Sequence, residues 1–543
     1  MQLAAHPPLT SSQRTLQAAR AALDRNNLDE AEVHLRQAAQ QQPNNPGVHA
    51  ALARLLLRQS DLPGHDQAIA RAIALAPNDA GYRIRAALAC PPMMGSRLEI
   101  ERHRARVIAR LDALLAEPGR WRLSDPMLAV PTLTYYFVYH GLDDRSINRR
   151  VCALMRQVAP ILNVEAPHLQ KPRPDGPVRL GIFSTHLRDH TIGCLFAELI
   201  KRLDRRMFRT VMIFSEPDID PFALKLAESA ADEVVLVPRE LPRAQQQIAQ
   251  ARLDVLWYPD IGMDSFTTYL AYARLARAQV TTWGHPNATG IDTMDAFLSL
   301  DALEPEARPP YSETIICQQA PNVYYVPQRV TLPQPRAALG LPVRGHLYGC
   351  PQTTFKFHPD FNRVLCQILD RDPRAILVLH QGRIPAWQRI LTQRLEAIRP
   401  GSHRRIHWMA GMPREQYIET LAAFDVMLDP FPFGGGNTTL EAFGAGTPVV
   451  TCPPKLARGR LAYAFYRQMG WTALVAGDAD AYVRLAVDIA TDPSLRAQMS
   501  TQLRARSDAE LFENDEGVRQ FEAALLAALK MKLNASSAGS PAR

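Results

Sequence analysis

A glycine-rich segment, DPFPFGGGNTTLEAFGAGTPVVT, runs from Asp429 to Thr451 and combines bare backbone, hydroxyl groups and one carboxylate. Glycines let the backbone approach a ligand without Cβ contact, and the start of the helix predicted next offers free N–H groups and a partial positive charge to a pyrophosphate. Threonine hydroxyls can donate to phosphate oxygens, whereas a carboxylate suits a ribose or sugar hydroxyl. The segment predicts a phosphorylated-ligand site, and a glycine-rich turn with threonine caps is the alternative. Its candidate binding residues are Gly434, Gly435, Gly436, Asn437, Thr438, Thr439 and Glu441.

Three further candidates follow other predicted strands. Lys356, in CPQTTFKFHPDF, is the only lysine between Lys225 and Lys455, and a compact ammonium there suits the charge developing on a leaving diphosphate. His190, in STHLRDHTIGC, is expected at the carboxyl edge of a sheet and facing a cleft, and a capping or core histidine is the alternative. His285 and Pro286, in TWGHPNATGIDTMD, are expected to shape a wall of the same cleft, unless that segment is only a structured loop.

The elements that must position these residues alternate between apolar strands and helices from residue 178 onward. The first series of strands comprises VRLGIFST, RTVMIFS, DEVVLVP, LDVLWYPD and AQVTTWGHP. The second comprises LYGCP, AILVLHQG, IHWMAG, VMLDPFPFGGG and PVVTCP. Alternating strands and helices indicate parallel, doubly wound sheets. Two such halves in series predict two Rossmann-like domains around one cleft, with ligands outside the carboxyl ends of the strands.

The N-terminal region is predicted to be all helical and repetitive. Pro43 and Pro77 stand 34 residues apart, the tetratricopeptide period, and small and large residues precede each proline at matching offsets. We expect a tetratricopeptide-like domain at 1–165, a linker at 166–177, α/β domains at 178–335 and 336–532, and a disordered tail at 533–543.

Composition limits the class of protein. The chain has 543 residues, too many for one core, and a formal net charge of +8 that is spread rather than clustered, so we expect anionic small ligands and no nucleic acid. Seven scattered cysteines without a CxxC pair favour a reducing compartment, the cytoplasm, over a disulfide framework or zinc site. The sequence predicts no membrane span, no metal and no cofactor, and it leaves a homo-oligomer open.

Three segments together resemble glycosyltransferase family 41, the O-linked N-acetylglucosamine transferases with their bacterial and SPINDLY-like relatives. They are GGGNTTLEAFGAGTPVVT, TFKFHP and WGHPNATGIDTMD. The resemblance covers roughly 12–530 and implies a GT-B fold behind tetratricopeptide repeats. It implies that Lys356 and the two threonines contact the diphosphate, that Glu441 binds the ribose, and that His190 lies near the sugar and acceptor. It also implies that Arg414 and Tyr417 hold the uracil.

The predicted activity is therefore inverting, metal-independent transfer of a sugar from a UDP-sugar to a protein side chain, most simply Ser or Thr. The family's His-Thr-Thr stands here as Asn437-Thr438-Thr439, so the resemblance leaves the donor sugar, GlcNAc or another hexose, open. Three alternatives remain: N-glucosylation of Asn, a tetratricopeptide scaffold with a degenerate transferase domain, and a GT-B enzyme acting on lipid or glycan. Lys356 and His190 are the catalytic candidates; the sequence does not determine the general base, and His190 is the hypothesis for it.

Overall fold

The computed structural model describes residues 10–305 and 311–538. It begins with a helical region in which both repeat prolines, Pro43 and Pro77, lie just beyond the end of a helix, as the 34-residue spacing predicts. The first four helices pack as two pairs, α1 with α2 and α3 with α4. The helices of this region are α1 (Ser11–Asp24), α2 (Leu28–Gln41), α3 (Pro46–Arg58), α4 (Leu62–Leu75), α5 (Ala80–Leu88), α6 (Arg97–Leu115), α7 (Pro126–Ala129) and α8 (Arg145–Val158).

A seven-stranded parallel sheet follows, in the order β3-β2-β1-β4-β5-β6-β7. Its strands are β1 (Val178–Phe183), β2 (Phe208–Ser215), β3 (Glu233–Val237), β4 (Leu253–Tyr258), β5 (Ala276–Thr282), β6 (Ala296–Leu300) and β7 (Thr314–Gln318). Its helices are α9 (Thr191–Lys201), α10 (Pro221–Ala230), α11 (Leu241–Gln250) and α12 (Ser265–Ala271). The strand pattern missed β6 and β7, because no helix of the described chain separates them from β5 and the strand–helix alternation is lost there.

A second, five-stranded parallel sheet has the order β10-β9-β8-β11-β12. Its strands are β8 (His346–Cys350), β9 (Ala375–His380), β10 (Ile406–Met409), β11 (Val426–Leu428) and β12 (Val449–Val450). The helices are α13 (Pro359–Arg371), α14 (Pro385–Ile398), α15 (Arg414–Ala422), α16 (Asn437–Ala445), α17 (Leu461–Gln468), α18 (Ala479–Thr491), α19 (Pro493–Glu510) and α20 (Asp515–Ala538). All five strands predicted for this half are present.

Each sheet has one point where the strand order reverses, between β1 and β4 in the first and between β8 and β11 in the second. In open α/β sheets, ligands bind outside the carboxyl ends of the strands at such a point. Ser184 lies just beyond β1, and Asp260 lies just beyond β4. The segment with Lys356 follows β8, and the glycine loop, which contains Gly434, Gly435 and Gly436, follows β11. Of the predicted site residues, His190, Lys356 and those of the glycine loop therefore follow strands at the two switch points.

The last helix of the described residues returns to the first sheet. α20 packs against β5 and β7, and the rings of Phe521 and Trp257 lie 4.7 Å apart between centroids. The prediction of a disordered tail at 533–543 is wrong for 533–538, which continue α20, and 539–543 lie outside the described residues. Low complexity suggested disorder, but the helix is already anchored on the sheet when it reaches these residues.

The predicted linker at 166–177 also lies against the first sheet. Pro167–Gln170 form a 3-10 helix, and His168 Nε2 is 3.0 Å from the carbonyl oxygen of Leu253. The helical region also contacts the second α/β half, since Nε1 of Trp387, on α14, donates to the carbonyl of Arg58 at 2.8 Å. The helices therefore lie against both α/β halves rather than on a free tether.

Candidate active site

The glycine loop is held against a buried carboxylate at the end of β11. Asp429 accepts hydrogen bonds from the backbone N–H of Gly435 at 2.7 Å and from the hydroxyl of Thr451 at 2.8 Å. A Cβ on Gly434 would lie 3.0 Å from either oxygen of Asp429, and one on Gly435 would lie 2.6 Å from Gln352 Nε2. The loop can approach Asp429 this closely because its glycines carry no side chain.

Lys356 lies beside this loop, on a short 3-10 helix (Thr354–Lys356) that follows β8. Its Nζ donates to Gln352 Oε1 at 2.7 Å and lies 4.9 Å from the centroid of the Phe433 ring. Burial lowers the pKa of Lys356 to about 8, although the carboxylate of Asp429 opposes this. Burial likewise raises the pKa of Asp429 to about 6, against the hydrogen bonds from Gly435 and Thr451 and the charge of Lys356.

Several buried polar atoms around Lys356 have no hydrogen-bond partner within the described chain. They are Gln352 Nε2, Thr354 Oγ1 and Asn437 Oδ1. Buried polar atoms are nearly always paired in folded proteins, so each unpaired one needs an explanation. Here the unpaired donors and acceptors surround an ammonium group and a helix start, which together can bind a polar, anionic ligand.

The two threonines at the start of α16 have different environments. Thr439 is buried, and its hydroxyl donates to the carbonyl of Gly435 at 2.8 Å. Thr438 is half-buried and shares a hydrogen bond with the hydroxyl of Tyr417. The hydroxyl of Thr439 therefore holds the glycine loop, whereas that of Thr438 contacts Tyr417, a candidate uracil residue.

Arg414, at the start of α15, connects the candidate ribose residue to the first α/β half. Its Nη2 lies 3.1 Å from Glu441 Oε1, and its Nη1 lies 2.6 Å from the sulfur of Cys194 on α9. Burial raises the pKa of Glu441, while Arg414 and a hydrogen bond from Asn437 lower it. The structure thus brings together Arg414, Glu441 and Tyr417, as the resemblance implies, but Arg414 and Glu441 are paired with each other.

His190 is the N-cap of α9, the capping role that the sequence left open. Its Nδ1 accepts the backbone N–H of Ile192 at 3.3 Å. Burial, reinforced by the neighbouring His186, lowers the pKa of His190 to about 4. His190 is therefore neutral near neutral pH, with its other nitrogen, Nε2, directed away from the capped helix.

His285 and Pro286 lie beside residues of the helical region and of the second α/β half. The His285 ring is stacked on Tyr135 with centroids 5.9 Å apart, and burial lowers its pKa to about 4. Pro286 lines a cavity of about 30 Å³ together with Arg458. Tyr135 begins a 3-10 helix (Tyr135–His140), and its ring centroid is also 6.1 Å from that of Phe355, next to Lys356. The helical region therefore supplies one wall of the cleft.

Sequence reasoning missed several residues of the site. Asp429 was part of the quoted segment but was given no role, although an acidic residue between a buried strand and a glycine run was a usable signal. The partners Asp260 and His186, which lie 3.0 Å apart, come from different strands, so no local pattern linked them. Tyr135 stands in an aromatic run of the helical region, far from either sheet in sequence.

The described residues also bear on metal binding and on membrane insertion. No group of three or more His, Cys, Asp or Glu side chains with the geometry to hold a metal ion occurs within 10–305 and 311–538. Over the same residues, no helix has the length and apolar character needed to cross a membrane.

Comparisons with known proteins agree with this architecture. The family model described as glycosyl transferase family 41 matches residues 311–521. The protein of Arabidopsis thaliana named probable UDP-N-acetylglucosamine–peptide N-acetylglucosaminyltransferase SPINDLY is 27% identical over 239 residues, which cover 42% of this chain and 26% of the plant protein. The UDP-glucose:protein N-beta-glucosyltransferase of Actinobacillus pleuropneumoniae serotype 7 is 26% identical over 255 residues, 45% of this chain and 39% of that protein. The chain thus spans about a quarter of the length of the plant relatives it matches.

A solved structure extends the likeness over nearly the whole chain. A mutant of the O-GlcNAc transferase of Thermobaculum terrenum superposes with a TM-score of 0.67 at 22% identity, covering 96% of this chain and all of that one. At this identity the likeness concerns the fold. Helical repeats followed by two facing parallel sheets define a GT-B glycosyltransferase fold, as predicted.

The family resemblance is also supported over part of the chain, since residues 311–521 match the model of glycosyl transferase family 41. The roles of the individual site residues remain predictions.

Proposed function

We propose that this chain transfers a sugar from a UDP-sugar to a protein side chain, with inversion and without a metal ion. The observation that carries the proposal is the environment of Lys356, whose half-buried ammonium lies 4.9 Å from the Phe433 ring that precedes the glycine loop and bonds to Gln352, a residue with an unpaired buried Nε2. A diphosphate there would pair with the ammonium and with the start of α16. The family and the names of the relatives support the same donor class.

In this reaction Lys356 would stabilise the charge that grows on the diphosphate as the sugar–phosphate bond breaks. A preorganised donor in a site shielded from water acts more strongly than one in bulk solvent. Asp429 holds the loop that would contact the diphosphate, and Thr438 supplies a hydroxyl at the helix start. Glu441 would bind the ribose and Arg414 the uracil. To do so, the two side chains would give up part of the contact between them.

The acceptor side of the proposal rests on a cavity of about 520 Å³ between the repeats and the first α/β half. Its walls include residues of α3 and α5 and the segment 262–268 that follows β4. Tyr135 lines this cavity and also stacks on His285, so the cavity leads toward the cleft. We infer that the repeats present the protein acceptor to the cleft through this space.

Each alternative has an observation that bears on it. Transfer to Asn is supported by the printed name of the Actinobacillus relative, a protein N-beta-glucosyltransferase. A degenerate scaffold is disfavoured by the intact contacts around Lys356, and a lipid or glycan acceptor is disfavoured by the repeats. The cytoplasm remains the predicted location, and an oligomer remains open.

A melting-temperature screen tests the donor class. UDP, UDP-glucose and UDP-N-acetylglucosamine should each raise the melting temperature, because a ligand that binds only the folded state stabilises it by mass action. ADP is the control for the base, and EDTA tests independence from metal. No shift at millimolar UDP, with or without a divalent ion, would contradict the proposal. Intact-mass and fragment analysis of co-expressed acceptors then separates Ser or Thr linkage from Asn linkage.

A further inference from the structure

Two histidines lie side by side beyond β1, and only one of them has a carboxylate partner. His186 Nδ1 is 3.0 Å from Asp260 Oδ2, which also accepts the hydroxyl of Ser184 at 3.0 Å. Asp260 follows β4 and is fully buried. The rings of His186 and His190 have centroids 4.5 Å apart. The switch point of the first sheet therefore holds a carboxylate–imidazole pair beside the helix-capping histidine.

The partners of these histidines give them opposite tautomers. His190 Nδ1 accepts the N–H of Ile192, so its neutral ring carries the proton on Nε2 and can only donate there. His186 Nδ1 faces the carboxylate of Asp260, with the hydroxyl of Thr185 at 3.4 Å, so its proton lies on Nδ1 and Nε2 keeps a lone pair. Within the described chain neither Nε2 has a hydrogen-bond partner, and neither is among the fully buried unpaired atoms.

A short chain of contacts connects this pair to the glycine loop. A Cβ on Gly284 would lie 3.1 Å from the Cδ1 of Ile192, in the first turn of the helix that His190 caps. The indole ring of Trp283, the residue before Gly284, would lie 3.6 Å from a Cβ on Gly436. The first turn of the helix that His190 caps and the glycine loop therefore both adjoin the Trp283–Gly284 segment.

We propose that His186, held by Asp260, is the general base that takes the proton from the acceptor hydroxyl. The neutral ring of His190 beside it offers a hydrogen-bond donor at Nε2. This inference rests on the proposed function. The hydroxyl oxygen forms a bond to the anomeric carbon as the bond from that carbon to the diphosphate oxygen breaks. The electron pair leaves with UDP, and the acceptor proton moves to His186 Nε2. Asp260 then stabilises the imidazolium, as in other carboxylate-supported histidine bases.

The charges around His186 determine how the rate depends on pH. Burial lowers its pKa, but the hydrogen bond and charge of Asp260, with a contribution from Asp264, outweigh burial and Arg188, so the pKa is raised. His190 and His285, the other two rings near it, have pKa values of about 4 and are neutral near neutral pH. A base must be unprotonated, so kcat/KM should rise with pH until His186 is deprotonated, above the usual histidine pKa of about 6.5.

The test measures hydrolysis of UDP-glucose and UDP-N-acetylglucosamine, with water as acceptor, across pH. His186→Gln should lower kcat by about 10²-fold or more and remove the acidic limb, while the Kd for UDP changes little. Asp260→Asn should also lower kcat, because an amide no longer favours the Nδ1–H tautomer. His190→Asn is the matched control: Asn is a good N-cap, so this variant should lose rate but keep the acidic limb. An acidic limb that survives His186→Gln would overturn the assignment.

A second measurement does not depend on turnover. In protein labelled with ¹⁵N-histidine, His186 should have a protonated Nδ1 and an unprotonated Nε2, and His190 the reverse, with signals identified by the same variants. The opposite tautomer at His186 would overturn the proposal even if the enzyme turns over neither sugar. A protein that fails to bind UDP but has the expected tautomers would instead contradict the proposed function.

Discussion

Arg458 and Asp144 form a buried ion pair that joins the second α/β half to the helical region, with Nη1 of Arg458 2.6 Å from Oδ2 of Asp144. Arg104 lies 2.5 Å from the other carboxylate oxygen, and the carbonyl of Arg458 accepts the N–H of Gly434 at 3.1 Å. One residue therefore contacts both the glycine loop and the helices, which makes the cleft depend on the docking of the N-terminal region.

The first prediction concerns this ion pair. Asp144→Asn should lower the free energy of unfolding by about 3–5 kcal/mol, because it leaves two buried guanidinium groups without their shared counter-charge. Asp143→Asn, at the exposed neighbouring carboxylate, is the control and should change it by less than about 0.5 kcal/mol. Urea unfolding measures both. Equal losses in the two variants would mean that the pair does not stabilise the docking of the helices.

The same pair predicts a pH dependence. Burial raises the pKa of Asp144, but Arg458 and Arg104 outweigh burial and hold the pKa below its usual value. The folded pKa is thus below the unfolded one, so the carboxylate contributes its full stability above an unfolded pKa of about 3.9 and loses it as the pH falls through the folded value. The stability difference between wild type and Asp144→Asn should shrink below about pH 4. A constant difference down to pH 3 would contradict this.

A third prediction concerns Lys356 and the affinity for UDP. Its pKa of about 8 in the free protein means that the ammonium is present at pH 7 and is lost as the pH rises through 8. A bound diphosphate favours the protonated lysine, so the affinity for UDP should fall above about pH 8. Lys356→Arg should lose this decline, since arginine stays charged to a pKa above about 12. Calorimetric titration at pH 7, 8 and 9 compares the two proteins.

The catalytic role of Lys356 makes a separate prediction. Lys356→Ala should lower kcat by about 10²-fold or more, the scale seen when one preorganised donor is removed from a transition state. Binding should weaken as well, because the ground-state diphosphate is already charged. Steady-state hydrolysis of the UDP-sugar that most stabilises the protein measures both effects. A near-normal kcat in the alanine variant would remove Lys356 from the leaving-group role.

The two threonines of α16 should behave differently. Thr439→Val should lower the free energy of unfolding by about 1 kcal/mol, since it removes a buried hydrogen bond to Gly435. Thr438→Val should cost less stability than Thr439→Val and should weaken UDP binding, because it removes a half-buried hydroxyl and its hydrogen bond to Tyr417, a candidate uracil residue. Thermal unfolding with and without UDP measures both properties. Thr439→Val that is as stable as wild type would show that its hydroxyl is free for ligand.

The cavity beside the repeats yields the last prediction. Arg54 and Arg85 line it, and within the described chain neither is in a salt bridge; the buried Nε of Arg85 has no hydrogen-bond partner. Arg54→Gln with Arg85→Gln should reduce transfer to a co-expressed protein acceptor and leave the UDP-induced melting shift unchanged. Point variants are preferable to removal of the repeats, which would also remove Arg58 and its hydrogen bond with Trp387. Unaltered protein transfer by the double variant would contradict the acceptor role.

The sequence by itself determined the elements whose signals are local. The 34-residue proline spacing predicted helix ends, and strand–helix alternation predicted ten of the strands that the structure contains. The glycine loop and Lys356 were found the same way, because a ligand site at a strand end leaves glycines, hydroxyls and a lone lysine close together in the chain. The carboxyl ends of parallel strands then bring such segments to one edge, as the switch point between β8 and β11 shows.

Only the tertiary structure decided how each side chain is used. Thr438 and Thr439 are adjacent and chemically identical, yet the turn of the helix directs one hydroxyl to a backbone carbonyl and leaves the other half-buried. His190 was the histidine that the sequence favoured, but the carboxylate that can activate a base lies 3.0 Å from His186 instead. That carboxylate, Asp260, is 74 residues away in the chain, and its contact exists because β1 and β4 are neighbours in the sheet. Hydrogen-bond partners and burial depend on such long-range pairing, which local sequence patterns do not encode.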